Sequence, residues 1–428
     1  MKTSSAPAKT AAPNGATYVV IILTMMNLLN YLDRWVPSVV KDLFKADLKL
    51  TDAQTSLPLT GFIFVYLLTS PIFGALADKW PRKVLIAAGV GLWSLATGAA
   101  ALAIGFWTFL LARAMVGVGE AAYATLSPAL LSDYYPPDRR NRILTFFYMA
   151  IPVGAALGFV LGGALGDALG WRAAFLICGL PGLVLAGLAL TMREPPRGQY
   201  DSDAAQTPPR WPEAVRSLLK NRVYVLAVAG YAAVTFASGA LADWFPVFLQ
   251  RHHGMSLKLS GRYVGISTVV GGLGGTLVGG LLGDKLKRLT RQPYMALSGW
   301  SMVLATIFGF LALRLTDPTL VVIMLFAAQF FLWFYNGPIN ALLANTVPSA
   351  LRARAFAFSI FVIHILGDAI SPSVVGFASD RIGLPHAIQL VPLAMGVGAL
   401  IWLFAWRRLP EPARESPAPS ESASLPAK

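Results

Sequence analysis

Charge is what this sequence has least of. Only 13% of its 428 residues are Asp, Glu, Lys or Arg, about half the share of an ordinary soluble domain. Hydrophobic residues make up 56% and the mean hydropathy is +0.60, which excludes a soluble globular protein. Cysteine is scarcer still. A single Cys178 excludes an intramolecular disulfide and a thiolate metal cluster, and reads as a small buried hydrophobe. No P-loop lysine motif is present, so ATP is not the expected energy source. Gly117-Val-Gly-Glu-Ala-Ala122 fits a dinucleotide fingerprint by letter, but it lies inside an apolar helix with no strand before it. Neither an enzyme nor a cofactor or metal site is expected.

What the chain has instead is a series of apolar stretches long enough to cross about 30 Å of hydrocarbon, which makes the fold helical rather than a barrel. Twelve can be marked, near 17–40, 56–77, 84–104, 106–131, 142–168, 173–192, 222–250, 261–283, 293–314, 319–345, 354–379 and 385–406; they are numbered helices 1 to 12. The expected class is therefore an all-α polytopic membrane protein. A net charge of +14 raises the possibility of nucleic acid, but 24 of the 35 Lys and Arg residues fall in the N-terminus, the even-numbered loops and the C-terminus, and 9 in the odd-numbered loops. That bias sets orientation, with both termini cytoplasmic, and leaves no case for nucleic acid.

Residues 1–16 and 409–428 read as disordered tails, and 194–221 as a polar cytoplasmic linker between a six-helix bundle at 17–193 and another at 222–408. The two bundles carry a repeat. Gly74-Ala-Leu-Ala-Asp78-Lys-Trp-Pro-Arg82 follows helix 2, and Gly280-Leu-Leu-Gly-Asp284-Lys-Leu-Lys-Arg288 follows helix 8. Asp133-Tyr-Tyr-Pro136 after helix 4 answers to Asn345-Thr-Val-Pro348 after helix 10, and helices 5 and 11 end alike at Gly166-Asp167 and Ser379-Asp380. Asp78, Arg82, Asp284 and Arg288 are expected to form a cytoplasmic salt-bridge latch between helices. Gly154, Gly158, Gly162 and Gly166 in helix 5, and Gly271, Gly275, Gly279 and Gly283 in helix 8, form stripes on which another helix can approach closely. One such stripe per bundle suggests a thin seam between the halves.

Two parallel halves of six spans with Gly-x-x-x-Asp-x-x-x-Arg loops resemble the major facilitator superfamily over nearly the whole chain. Asn30-Tyr-Leu-Asp33-Arg34, Pro71-Ile-Phe-Gly74, the run from Arg113 through Glu120 to Tyr123, and Phe147-Tyr-Met-Ala-Ile-Pro152-Val-Gly154 resemble the spinster family of lipid transporters. Anion–cation symporters for sugar acids share the helix 1 and helix 4 motifs, but the Tyr123 continuation favours spinster. The resemblance implies an integral cell-membrane protein, the inner membrane if bacterial, that moves an anionic amphiphile such as a lysolipid or sphingoid phosphate by alternating access. A proton symporter for a small organic anion such as a sugar acid is the alternative. A monomer is expected, with protons and the bilayer as its other partners.

Charges within spans cost about 2.5–3.5 kcal/mol each, so they need a reason. Asp33 and Arg113 both lie about 10 Å below the outer surface at 1.5 Å per residue, which allows a bidentate pair across helices 1 and 4. Glu120, two turns from Arg113 on the same face, stands alone near the midplane and is the sharper candidate for a proton site. Arg113 is the expected head-group ligand, with Asn30 and Tyr123 beside it. Asp33 joins Glu120 as a proton carrier, so that substrate and proton compete for the same surroundings. Arg34 is expected to snorkel outward. His364 and Asp368, one turn apart in helix 11, read either as part of a proton path or as hydrogen-bonded packing. Asp243 near the outer end of helix 7 reads as a gate or cap rather than a ligand. Trp333, Asn336 and Asn340 share a face of helix 10, whose aromatic run is broken by Gly337-Pro338 and suits an amphiphile better than a sugar.

Overall fold

The computed structural model describes residues 15–197, 210–286 and 292–408. Most of both expected tails, part of the linker, Arg288 and the side chain of Asp284 lie outside the described residues.

The described residues are helical throughout, and eleven stretches are long and apolar enough to cross a membrane. One of these, Arg142–Leu190, has 49 residues, roughly 74 Å of continuous helix and more than twice the thickness of the hydrocarbon. It does not run straight. Gly170, at φ 82° and ψ 168°, takes a conformation that a residue with a Cβ rarely adopts, and breaks the stretch into two crossings. Twelve spans result: helix 1 Ala16–Val39, helix 2 Asp52–Leu76, helix 3 Arg82–Ala101, helix 4 Phe106–Tyr134, helices 5 and 6 before and after Gly170, helix 7 Arg222–His253, helix 8 Leu257–Leu286, helix 9 Pro293–Arg314, helix 10 Pro318–Asn345, helix 11 Arg354–Ile382 and helix 12 Leu384–Arg408. The protein is an integral membrane protein, with twelve spans among the described residues.

Local chemistry sets several of the ends. Thr51 and Gln54 form a capping box at the start of helix 2, Asn221 accepts the Tyr224 amide at the start of helix 7, and Asp317 accepts the Leu320 amide at the start of helix 10. The linker is more ordered than its composition suggests: Trp211–Lys220 is an amphipathic helix with Ala214 and Leu218 buried against helices 7 and 11.

The buried apolar side chains gather in one large cluster drawn mainly from helices 7 to 12 and two smaller ones drawn mainly from helices 1 to 6. The glycine stripes work inside these halves. Gly154, Gly158 and Gly162 lie on the helix 1 backbone at Leu28, Leu32 and Val36, and Gly166 on Val40. Gly271, Gly275 and Gly279 lie on Gln329, Phe330 and Phe334 of helix 10, and Gly283 on Pro338. The expectation that these stripes form the seam between halves is thus corrected, because a run of small residues shows that one face is smooth and not which neighbour covers it. Helices 5 and 8 do meet, but through the adjoining face. There Gly163 lies against the Leu257 carbonyl, Gly261 against that of Phe159 and Gly265 against that of Ala156.

Polar contacts between the halves gather at the end of the bundle opposite the termini, called here the far end. Arg251 bridges Asp42 at 2.5 Å and Asp52 at 2.8 Å. The Asp52 and Ala53 amides donate to the Asp380 carboxylate at 2.8 and 3.0 Å, so Asp380 caps helix 2 from across the boundary. Its repeat counterpart, Asp167, is exposed. Lys41 pairs with Asp243. The Thr60 hydroxyl donates to the Ala369 carbonyl at 2.7 Å.

Gly158→Ala should lower stability by about 1–3 kcal/mol, since the added methyl meets the Leu32 carbonyl. Gly280→Ala, where an added methyl meets nothing, should leave stability unchanged or raise it slightly. Thermal unfolding in detergent compares the two.

Candidate substrate and proton site

Helices 1 and 4 face each other through their side chains and carry four ionisable groups that meet in the protein interior. Arg34 Nη2 donates to Glu120 Oε2 at 2.5 Å; the Glu120 side chain is wholly buried and that of Arg34 is 18% exposed. The Arg34 guanidinium lies over the rings of Tyr31 at 4.6 Å, Phe62 at 4.9 Å and Tyr66 at 5.9 Å, an arrangement that favours a desolvated cation. Two expectations are corrected here. Arg34 does not snorkel outward, and Glu120 does not stand alone. A lone ionised carboxylate in hydrocarbon is costly enough to draw in the long arginine side chain from the neighbouring helix.

The second pair is looser. Arg113 Nη1 lies 3.9 Å from Asp33 Oδ2, and both side chains are buried. The expected bidentate contact is absent because Asp33 turns toward helix 3, where the Thr97 hydroxyl donates to Oδ2 at 2.5 Å. Arg113 Nη1 and Nη2 are buried without a hydrogen-bond partner, as is the amide nitrogen of Asn30. Phe62 stands between the pairs, with Arg113 over its ring at 5.8 Å and Arg34 over it at 4.9 Å.

Tyr123 has a different place from the one expected. It is buried, its hydroxyl donates to the Leu23 carbonyl at 2.6 Å, and its ring packs edge-on to Trp93 at 5.4 Å. It therefore pins helix 4 to helix 1 and lines no accessible surface. Arg82 likewise pairs locally, within its own half and with the start of the linker. It reaches Asp133 at 2.6 Å and Glu194 at 3.0 Å, and the Glu194 carboxylate also accepts the Arg82 backbone amide at 3.0 Å, at the start of helix 3. The Asp78 side chain is exposed and takes no part in this cluster. The latch expected between Asp78 and Arg82 is thus replaced by one centred on Glu194, the first residue of the linker.

The C-terminal half contributes a second polar group. Helix 10 tightens into a 3-10 turn at Trp333–Tyr335, just before Pro338, which has no amide to give and whose ring crowds the Phe334 carbonyl. Asn340 donates to the Asn336 carbonyl at 2.7 Å, and Asn336 lies 3.5 Å from the Thr276 hydroxyl. Tyr231 and Tyr335 stack edge-on at 5.0 Å, with Tyr231 in reach of Asn340. The aromatic run divides: Phe330 and Phe334 fill the glycine stripe of helix 8, while Trp333 is part-buried with its indole nitrogen unpartnered. In helix 11 a π-helical turn at His364–Asp368 brings His364 Nδ1 to 2.8 Å from Asp368 Oδ1. The turn relaxes at Gly367, where helix 7 comes close at Thr235. His364 and Asp368 remain 34% and 26% exposed.

Tyr123→Phe should lower stability by about 1 kcal/mol through the lost hydrogen bond, and leave substrate binding unchanged. Unfolding and binding assays on the same preparation separate this structural role from a ligand role.

The major facilitator superfamily profile matches residues 23–372. Spinster homolog 1 of Xenopus tropicalis is 34% identical over 85% of this chain and 73% of its own length. The sphingosine-1-phosphate transporter SPNS2 of Danio rerio is 32% identical over 89% of this chain and 82% of its own. Among solved structures, a bacterial homologue of the human lysosomal transporter spinster, inward-facing and occupied, superposes with a TM-score of 0.85 at 23% identity, over 95% of this chain and all of that one. A D-xylose–proton symporter superposes with a TM-score of 0.72 at 16% identity, over 93% of this chain and 98% of that one. These two likenesses speak for the fold. The relatives are transporters and not enzymes, and the chain belongs to the spinster family of the major facilitator superfamily.

Proposed function

We propose that this protein is a secondary active transporter that moves an amphiphilic anion of the lysolipid or sphingoid phosphate type by alternating access, with transport linked to protons. In this reading the termini are cytoplasmic, as the distribution of Lys and Arg favours. The far end is then the outer end, and the gathering of cross-half contacts there describes a state sealed to the outside. The two halves, 17–193 and 222–408, are the bodies that rock.

The observation that carries the reading is the Arg34–Glu120 pair at 2.5 Å, one partner wholly buried and the other part-exposed. Arg113, at 1% exposure, is sealed from any ligand in this state, so the head-group role expected of it passes to Arg34. A phosphate oxygen that draws the Arg34 guanidinium leaves Glu120 without its counter-charge, and a buried carboxylate in that position takes up a proton. Proton binding on Glu120 conversely frees Arg34 for an anion. The two ligands therefore help each other by the same factor, rather than compete. Asp33 and Arg113 form a reserve pair, with Thr97 holding the carboxylate. Trp333, Tyr231 and Tyr335 supply apolar rings opposite, with Asn336 and Asn340 as hydrogen-bonding groups and His364–Asp368 as a further proton-exchanging pair.

In proteoliposomes Glu120→Gln should retain uptake while losing most of its dependence on the pH gradient; an unaltered dependence would remove Glu120 from the proton role. Arg34→Ala should weaken binding of a lysolipid phosphate by about tenfold or more, the loss of a charge-assisted contact. Competition identifies the substrate class. If a sugar acid displaces the labelled substrate and lysolipid does not, the protein is a small-anion symporter instead.

A further inference from the structure

One join between the halves is a buried ion pair that the substrate site does not use. Lys41 begins the short helix Lys41–Asp47 that follows helix 1, and Asp243 lies in helix 7. Both are buried, at 1% and 3% exposure. The Lys41 ammonium donates to Asp243 Oδ2, which also accepts the Ser56 hydroxyl of helix 2 at 2.9 Å; Oδ1 accepts the Ser38 hydroxyl of helix 1 at 3.2 Å. One carboxylate from the C-terminal half thus holds three donors from the N-terminal half. Lys41 also sits over the Trp244 ring at 3.9 Å.

We propose that Lys41 and Asp243 form the outer gate of the transport cycle, an ion-pair lock that ties the halves at the outer end and must part before the site can open there. The inference rests on the alternating-access reading. Its physical basis is the way a buried pair responds to separation: each partner alone in a dry interior is unfavourable, so the pair holds firmly until the boundary opens and water solvates both ends. A pair within one half would be indifferent to the motion, whereas this one spans the boundary. Its position also suits the role. A cavity of about 10 Å³, room for a single water, is lined by Arg34 and Arg113 together with Lys41 and Asp243. Parting the lock therefore opens a way directly to the guanidinium groups of the site. Ser38 and Ser56 position the carboxylate, while the outer ring formed by Arg251, Asp42 and Asp52 closes the surface above it.

The test measures distances between spin labels on the full chain with Cys178→Ala. One pair, Lys49→Cys with His386→Cys, reports the outer end; a second, Lys79→Cys with Lys285→Cys, reports the inner end. All four positions are exposed. Asp243→Asn and Lys41→Met should each raise the ratio of long to short outer distances by about fivefold or more, with the inner distances shortening in step. The double variant Lys41→Met with Asp243→Asn should open likewise. If the double variant returns to the wild-type distribution, the single variants act by stranding a buried charge, and the lock is overturned. It is also overturned if all three variants keep the wild-type outer distances. Failure of alternating access itself looks different, because neither pair then changes in any variant or at any pH. Monodisperse elution of each variant confirms that it folds.

Discussion

A charge inside hydrocarbon must find a counter-charge, and that requirement organises the interior of this protein. The N-terminal half sets Asp33, Arg34, Arg113 and Glu120 on two facing helices, with Arg34 part-exposed and the other three buried, and none of them can be left as a lone ion without a penalty of several kcal/mol. The outcome is two crossed pairs. Glu120 takes the arginine next to Asp33 in sequence, and Asp33 is held by Thr97 with Arg113 at 3.9 Å. Because every charge is matched, any ligand that takes one partner must bring a charge or a proton to settle the other. In the proposed cycle, coupling between anion and proton follows from this electrostatic match and needs no separate device.

The same rule operates at the boundary between the halves. Asp243 belongs to one half and its donors, Lys41, Ser38 and Ser56, to the other, so the stability of this ion pair is tied to a relative position of two bodies. Around it, Arg251 between two aspartates and Asp380 at the first amides of helix 2 repeat the pattern in a more solvated setting, where each contact is worth less. Close helix packing inside the halves complements this. Glycines of helices 5 and 8 lie on the backbones of helices 1 and 10, which holds each half together, as the proposed rocking of two bodies requires.

Irregular helix geometry occurs where function is proposed. The 3-10 turn at Trp333–Tyr335 and the π turn at His364–Asp368 both free backbone or side-chain groups in the middle of spans, in the half whose charges are otherwise few. Such breaks are tolerated in a membrane where protein rather than lipid surrounds them. Thr235 of helix 7 against Gly367 and Thr276 of helix 8 near Asn336 supply that cover.

Much of this was legible in the chain itself. Hydrophobic length set the number of crossings, the repeat of Gly, Asp and Arg in the loops pointed to two halves, and the cost of intramembrane charge marked Asp33, Arg113 and Glu120. These are one-dimensional properties: they depend on what a residue is and on its distance along a helix from its neighbours. Partner choice is not. Whether Arg34 turns out to lipid or in to Glu120, whether Asp33 prefers Thr97 or Arg113, and which helix lies on a glycine stripe depend on the rotation of each helix about its own axis, and only packing decides that rotation. Lys41 falls between two apolar stretches and Glu194 at the start of the linker, and nothing in sequence shows which partner either one reaches. The tertiary structure alone brought Lys41 beside Asp243, some two hundred residues away, since a contact between halves is encoded in the shape of both and in the sequence of neither.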